Sequence, residues 1–293
     1  MSLPDNPNPT EEKPSISEPI RLPPAPRRRR SRRAILFPGD DERAALLNNM
    51  AQRAFPSLEF FIFSLLCGAV VGAGFLLDAQ SLLLLGILMA PAMMPWIGLA
   101  LATVTGSWRL FFLTLAGLLI GSLLVFVTGL VAGIAARIWM PLPLFQANIH
   151  THLWWPNLVV LVVGAVLLVI SFVRSEEKPI LPSIMLSYEL YLPLSAAGFC
   201  LGAGLQAVWP QGLAVYFIHF ALASAVGIIT FLVLRFRPLK AGGYLLGGTI
   251  LLVALAAVVL LSGLGSLIIN GPAPTATPTA IPLPSVTATP DAP

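Results

Sequence analysis

Apolar residues fall in long unbroken runs rather than in the alternation that marks a water-soluble core. A run of about 20 apolar residues is long enough to cross a bilayer as a helix. Seven such runs stand out, at 58–77, 81–105, 110–138, 157–173, 182–208, 213–234 and 244–269. The third is longer than a bilayer needs, so it is expected to tilt or to end in the interface. The pattern predicts an all-α, polytopic transmembrane bundle of seven spans.

Two runs are interrupted by proline. LMAPAMMPWIGLA (88–100) carries Pro91 and Pro95, with Gly98 beyond. Proline cannot donate to the carbonyl four residues back, so the carbonyls of Ile87 and Pro91 are expected to be free near mid-span. In hydrocarbon such groups must be met by neighbouring protein, water or a solute. A packing kink, satisfied by adjacent helices, accounts for one such span equally well. LSYELYLPLSAAG (186–198) repeats the feature: Pro193 frees the carbonyl of Glu189, the one acidic residue well inside an apolar run. A charged side chain at membrane depth costs about 2.5–3.5 kcal/mol on insertion scales and marks a candidate functional site. If the span starts at Leu186 instead of Pro182, Glu189 lies nearer the interface, with Tyr188 and Tyr191 as belt aromatics. His219, in the sixth run, could relay protons with Glu189 or bond a neighbouring backbone group; the second is commoner for a lone histidine.

In each set of three spans (one to three, four to six) the middle run is the interrupted one, followed by a short loop and a long apolar helix. This is the order of an inverted-topology repeat, with a binding site where the interrupted helices meet. The repeats are expected at 57–138 and 157–236, with the seventh span (241–270) outside them. The pairs Gly68/Gly72, Gly117/Gly121, Gly129/Gly133, Gly198/Gly202 and Gly243/Gly247 are spaced for close helix packing. They are compatible with a homo-oligomer and single out no dimer face.

Charge sets the expected orientation. Ten Lys/Arg precede the first span. With the N-terminus in the cytoplasm, Arg109, Arg174, Lys178, Arg235, Arg237 and Lys240 also fall inside, and only Arg137 falls outside. That bias follows the positive-inside rule and puts the C-terminus outside. Composition agrees: 57% of residues are hydrophobic and 10% charged, against about 25% charged in soluble domains. The pI near 9.4 reflects the N-terminal arm, so nucleic acid is not an expected partner; the lipid bilayer is. Residues 1–39 read as a disordered basic arm whose Arg27–Arg33 run sets topology. Residues 40–56 read as an amphipathic interfacial helix with Ala45, Leu46, Met50 and Ala54 on one face. Residues 271–293 read as an unfolded Pro/Thr-rich outer tail. No cleavable signal peptide is evident.

Other chemistry is sparse. His150 and His152 lie on the longest outer loop, but two histidines do not close a zinc site, so no metal is expected. Met89, Met93 and Met94 are flexible packing residues, and Asp78 is a candidate helix cap. Cys67 and Cys200 form no disulfide or ligand pattern. HExxH, GxSxG and P-loop motifs are absent, so neither an enzyme nor a cofactor is expected.

The run 82–115, LLLLGILMAPAMMPWIGLALATVTGSWRLFFLTL, resembles the core signature of a bacterial hydrophobic membrane-protein family, domain of unknown function 389. Gly86, Ala90, Pro91, Met93, Pro95 and Gly98 match its pattern. Met94 stands where the family often has Gly or Thr, and the second half has one proline where many relatives have two. The resemblance spans roughly residues 40–240. It implies a multi-pass protein of the bacterial cytoplasmic membrane and supplies no substrate.

Together these residues point to a transporter or channel-like protein that binds a small solute, cation or proton at a midplane site. Ile87, Pro91, Pro95, Gly98, Glu189, Pro193 and His219 would form it, with free carbonyls coordinating a cation and Glu189 carrying charge or a proton. The competing class is a non-transporting scaffold or sensor that works through the basic arm and the outer tail.

Overall fold

A computed structural model of the chain describes residues 40–138, 144–175, 177–236, 238 and 241–261. The arm before residue 40, the Arg27–Arg33 run, the end of the seventh run and the tail at 271–293 lie outside the described residues. The described residues from Ala44 onward form one compact unit.

The described residues fold as helices without strands: α1 Asp40–Arg53, α2 Leu58–Leu76, α3 Gln80–Leu88, α4 Met94–Thr105, α5 Trp108–Ala136, α6 Phe145–His150, α7 Trp155–Arg174, α8 Ile180–Ala203, α9 Trp209–Val233 and α10 Ala241–Leu261. Local sequence explains most of the boundaries. Ser57 and Ser107 cap α2 and α5, each hydroxyl accepting from the backbone N–H three residues on, as N-caps do. Pro156 and Pro210 sit in the first turns of α7 and α9, where a missing N–H costs nothing. Gly106 and Gly204 end α4 and α8 at φ 65° and 85°, a left-handed conformation that glycine adopts without strain.

Among the described residues, six helices are long and apolar enough to cross a membrane: α2, α5, α7, α8, α9 and α10. The second predicted span is not one helix. It is α3 and α4, separated by the non-helical stretch Met89–Met93. Pro91 disfavours helical backbone at Ala90, which ends α3. Pro95 falls in the first turn of α4, where proline is tolerated. The two prolines therefore bracket a break instead of kinking a helix.

Close approaches at glycine fix the directions. β-Carbons at Gly117 and Gly121 of α5 would lie 2.8 Å from Pro56 and 2.6 Å from Phe60, and one at Gly72 of α2 would lie 3.1 Å from Ala132. Higher residues of α5 thus meet higher residues of α2, and the two helices are parallel. Gly74 meets Leu83 and Gly86 meets Val71, so α3 turns back along α2. The pair α3–α4 makes the return from α2 to α5. Gly164 against Met185 and Gly212 against Ala197 make α7–α8 and α8–α9 antiparallel hairpins.

At the centre, α5 and α8 run parallel with their glycine pairs interlocked. β-Carbons at Gly129 and Gly133 would strike the carbonyl oxygens of Ser195 and Phe199. Those at Gly198 and Gly202 would strike the carbonyl oxygens of Phe126 and Leu130. α8 is the most enclosed of the long helices, with 78% of its apolar window buried, against 22% for α10. The two triplets do not share a break, because α8 is one continuous helix of 24 residues with Pro193 inside it. In α1 Leu47 and Met50 are buried and Leu46 is half-buried, and Ala54, just past the helix, is buried too. Met50 and Ala54 of the expected face are thus buried against protein, with the Ala54 carbonyl 3.2 Å from a β-carbon placed at Gly98.

Candidate functional site

Glu189 lies in α8 and is 2% exposed, so its carboxyl is inside the bundle. Pro193 leaves its carbonyl without a helical donor, and His219 of α9 supplies one: His219 Nδ1 is 2.7 Å from the Glu189 carbonyl oxygen. A carbonyl only accepts, so Nδ1 carries the hydrogen. The same nitrogen lies 3.6 Å from Glu189 Oε2. His219 is 1% exposed, and its Nε2 has no partner. A proline, a carboxyl and an imidazole from two helices thus form one buried cluster. It has no direct hydrogen bond between its two ionisable groups.

The break presents different chemistry. The Ile87 carbonyl, expected to be free, accepts from the Ala90 N–H at 3.0 Å, because α3 ends in a tight turn before Pro91 can disturb it. The Met93 N–H donates to Ser183 Oγ of α8 at 3.3 Å. The Met94 N–H donates to Ala92 O and the Ile97 N–H to Met93 O. Gly98 lies one turn further into α4, packed against Thr114 and Ala54.

These two features are at similar height but on opposite sides of α8. Tyr191 Oη is 3.3 Å from Ser64 Oγ, and a β-carbon at Gly121 would lie 3.2 Å from the same oxygen. Tyr191, Ser64 and Gly121 therefore share a level at the middle of α5. Gly86 reaches the Cys67 carbonyl, so α3 ends just short of that level and the break lies along it. Glu189 is two residues before Tyr191, about 3 Å lower and rotated by about 200°. It faces α9, while Ser183, Ser187 and Tyr191, four residues apart, face α2 and the break. Of the predicted residues, the structure brings together Glu189, Pro193 and His219, and separately Ile87, Pro91, Pro95 and Gly98; α8 stands between the groups.

Sequence reasoning missed the hydroxyl line. Ser183, Ser187, Tyr191 and Ser195 recur every fourth residue along α8, a spacing legible in the sequence. Two of them, Ser187 and Ser195, have buried hydroxyls without a partner. Ser122 and Tyr216 form a further buried bond at 2.9 Å between α5 and α9. His150, expected on an outer loop, is the last residue of α6. Its ring sits between Phe75 and Tyr188, with centroids at 5.9 and 6.2 Å, and its Nδ1 bonds Gln146 O at 2.8 Å. Burial holds its pKa below the usual 6.5. Asp78 accepts from the Gln146 N–H at 2.8 Å and so caps α6, a remote helix. Among the described residues, no group of three or more His, Cys, Asp or Glu could hold a metal ion. A cavity of about 220 Å³ between His152 and the Gln211–Ile218 face of α9 and one of about 340 Å³ beside Asn148 and Cys200 lie at the α6 end. Neither is lined by Glu189 or by the break.

A bundle of long apolar helices, most of them turning large apolar side chains outward, is an integral, multi-pass membrane protein. Within that class the chain belongs to the family described as domain of unknown function (DUF389), whose model matches residues 87–261. The match starts at the end of α3 and runs through α10, so it takes in the seventh run and omits α1 and α2, unlike the 40–240 expected. No curated protein and no solved structure matches the chain.

Proposed function

We propose that the protein moves a small solute or ion across the membrane, as a transporter or channel-like protein, and that Glu189 and His219 carry the changing charge. The supporting observation is the burial of a carboxyl and an imidazole together at a proline inside the most enclosed helix. A carboxyl there is costly, and a purely structural bundle would do better with an apolar side chain. The helix break at the same height gives the opposite side of α8 a polar backbone, as irregular stretches do where they line a pathway. An enzyme is not proposed.

The orientation of the chain in the membrane follows from charge. With α2, α5, α8 and α10 running outward and α3–α4, α7 and α9 returning, the chain makes seven passes. Arg53, Arg109, Arg174, Lys178 and Arg235 then gather at one end, where Lys178 meets Glu59 at 2.8 Å; Arg137 is at the other. This supports a cytoplasmic N-terminus in a bacterial cytoplasmic membrane. The scaffold reading rests on the arm and tail, outside the described residues.

The test is ion and proton flux into proteoliposomes, wild type against Glu189→Gln. The expected result is loss of most of the flux with an unchanged amount of folded protein. Equal flux in the variant would remove Glu189 from the mechanism.

A further inference from the structure

The break between α3 and α4 carries more acceptors than donors. Among the described residues, no N–H or O–H donates to the carbonyls of Leu88, Met89, Ala90 or Pro91. On the donor side, Met93, Met94 and Ile97 spend their N–H groups on Ser183, Ala92 and Met93. Pro91 and Pro95 have none to give. Only the Ala92 and Trp96 amides remain. Water is scarce at membrane depth, and such carbonyls must find a partner there.

Ser187 adds to the excess. It is one turn above Ser183 on the same side of α8, and its hydroxyl is fully buried without a partner. The Met93 N–H bonds Ser183, so the stretch Met89–Met93 ends one helical turn of α8 from the Ser187 hydroxyl. The α3 carboxyl end, which carries partial negative charge, points into the same place. The other unpaired donor nearby, Trp96 Nε1, belongs to a ring whose far edge packs against Gly227 of α9.

An anion would face a row of carbonyl oxygens. A divalent ion wants carboxylates among its ligands, and Glu189 is on the other side of α8. Neutral carbonyl and hydroxyl oxygens are the donor set that unwound membrane helices offer to sodium-type ions. We propose that this break, walled by Ser183 and Ser187, binds a dehydrated alkali-metal cation through the Met89, Ala90 and Pro91 carbonyls and the two hydroxyls. This deepens the transport reading, by naming a cation at the break, and its test does not depend on transport.

The purified full-length protein is unfolded by heat in detergent while NaCl or KCl replaces choline chloride at constant ionic strength. A bound cation raises the midpoint with saturation, as mass action requires. Ser187→Ala is expected to keep the choline midpoint, since the hydroxyl has no bond to lose, and to weaken the apparent affinity by roughly tenfold, equivalent to about 1.4 kcal/mol. Ser187→Cys, nearly the same size but with a soft ligand atom, is expected to do the same and covers the case in which the alanine variant folds poorly. Identical midpoints in sodium, potassium and choline would mean that ordered water meets these carbonyls, and would overturn the proposal. So would a cation effect untouched by both variants. Because the readout is binding, its failure leaves the flux assay of Glu189 standing, and the reverse also holds.

Discussion

Gly133→Ala puts the packing account at risk most sharply. A β-carbon at Gly133 would meet the Phe199 carbonyl oxygen, and would lie 2.8 Å from the Phe199 carbonyl carbon and 2.9 Å from the Ala203 nitrogen. Ordinary β-carbon contacts begin at 3.4 Å, so the carbon contact alone demands a retreat of about 0.6 Å, and the oxygen demands more. All three atoms are backbone, so no side chain can swing away. Gly129, Gly198 and Gly202 are locked in the same way, and a shift at one position disturbs all four. Overpacking of this kind costs about 1–3 kcal/mol, and separation also loses Cα–H···O contacts worth about 0.5–1 kcal/mol each. The upper part of the range, about 2–3 kcal/mol, is expected. At about 2–4 °C per kcal/mol, the unfolding midpoint should drop by roughly 4–12 °C. The assay is the folded fraction left in detergent after heating, read by size-exclusion chromatography. Gly248→Ala is the control, because a β-carbon there meets nothing within 4 Å; it should be neutral or slightly stabilising, alanine being the better helix former. Equal midpoints for the two variants would refute the interlock of α5 and α8.

Other outcomes follow from the polar contacts. Tyr216→Phe removes the buried bond to Ser122 and should cost about 0.5–1.5 kcal/mol, seen as a smaller fall in the same midpoint. His219→Ala leaves the Glu189 carbonyl without its donor and should cost about 1–3 kcal/mol; restoration of the midpoint by Pro193→Ala in the same chain, which returns a helical N–H, would identify that carbonyl as the cause. His150 has a folded pKa lowered by burial, so the unfolded chain binds its proton more readily. Its contribution is complete above the ordinary value near 6.5 and is lost as the pH falls from there to the lower folded value. His150→Gln should flatten that acid loss of stability, measured by midpoints in buffers on both sides of that value.

The apolar runs make the bundle legible because a membrane span needs length and hydrophobicity, and both are local properties. Pro91 and Pro95 likewise announce an interruption. What they do not announce is its form, since the break is held by the Met93 bond to Ser183, a residue 90 positions away. The fate of the Glu189 carbonyl had the same character: Pro193 frees it, but the donor is on another helix. The glycine pairs were legible as close packing, while the matching of Gly129/Gly133 with Gly198/Gly202 depends on the register of two helices that are not adjacent in sequence. The surroundings of His150 were hidden for a related reason: it lies in the expected connection between α5 and α7, but nothing local shows that α6 tucks its imidazole between Phe75 and Tyr188.

The central claim is that the buried Glu189–His219 cluster exchanges protons with water. Infrared difference spectroscopy of the reconstituted protein reads this directly, through the carboxyl stretch and its shift in heavy water. The account predicts a band that changes with bulk pH, shifts on deuteration and is absent in Glu189→Gln. A carboxyl signal that neither titrates nor exchanges in the folded protein would contradict it.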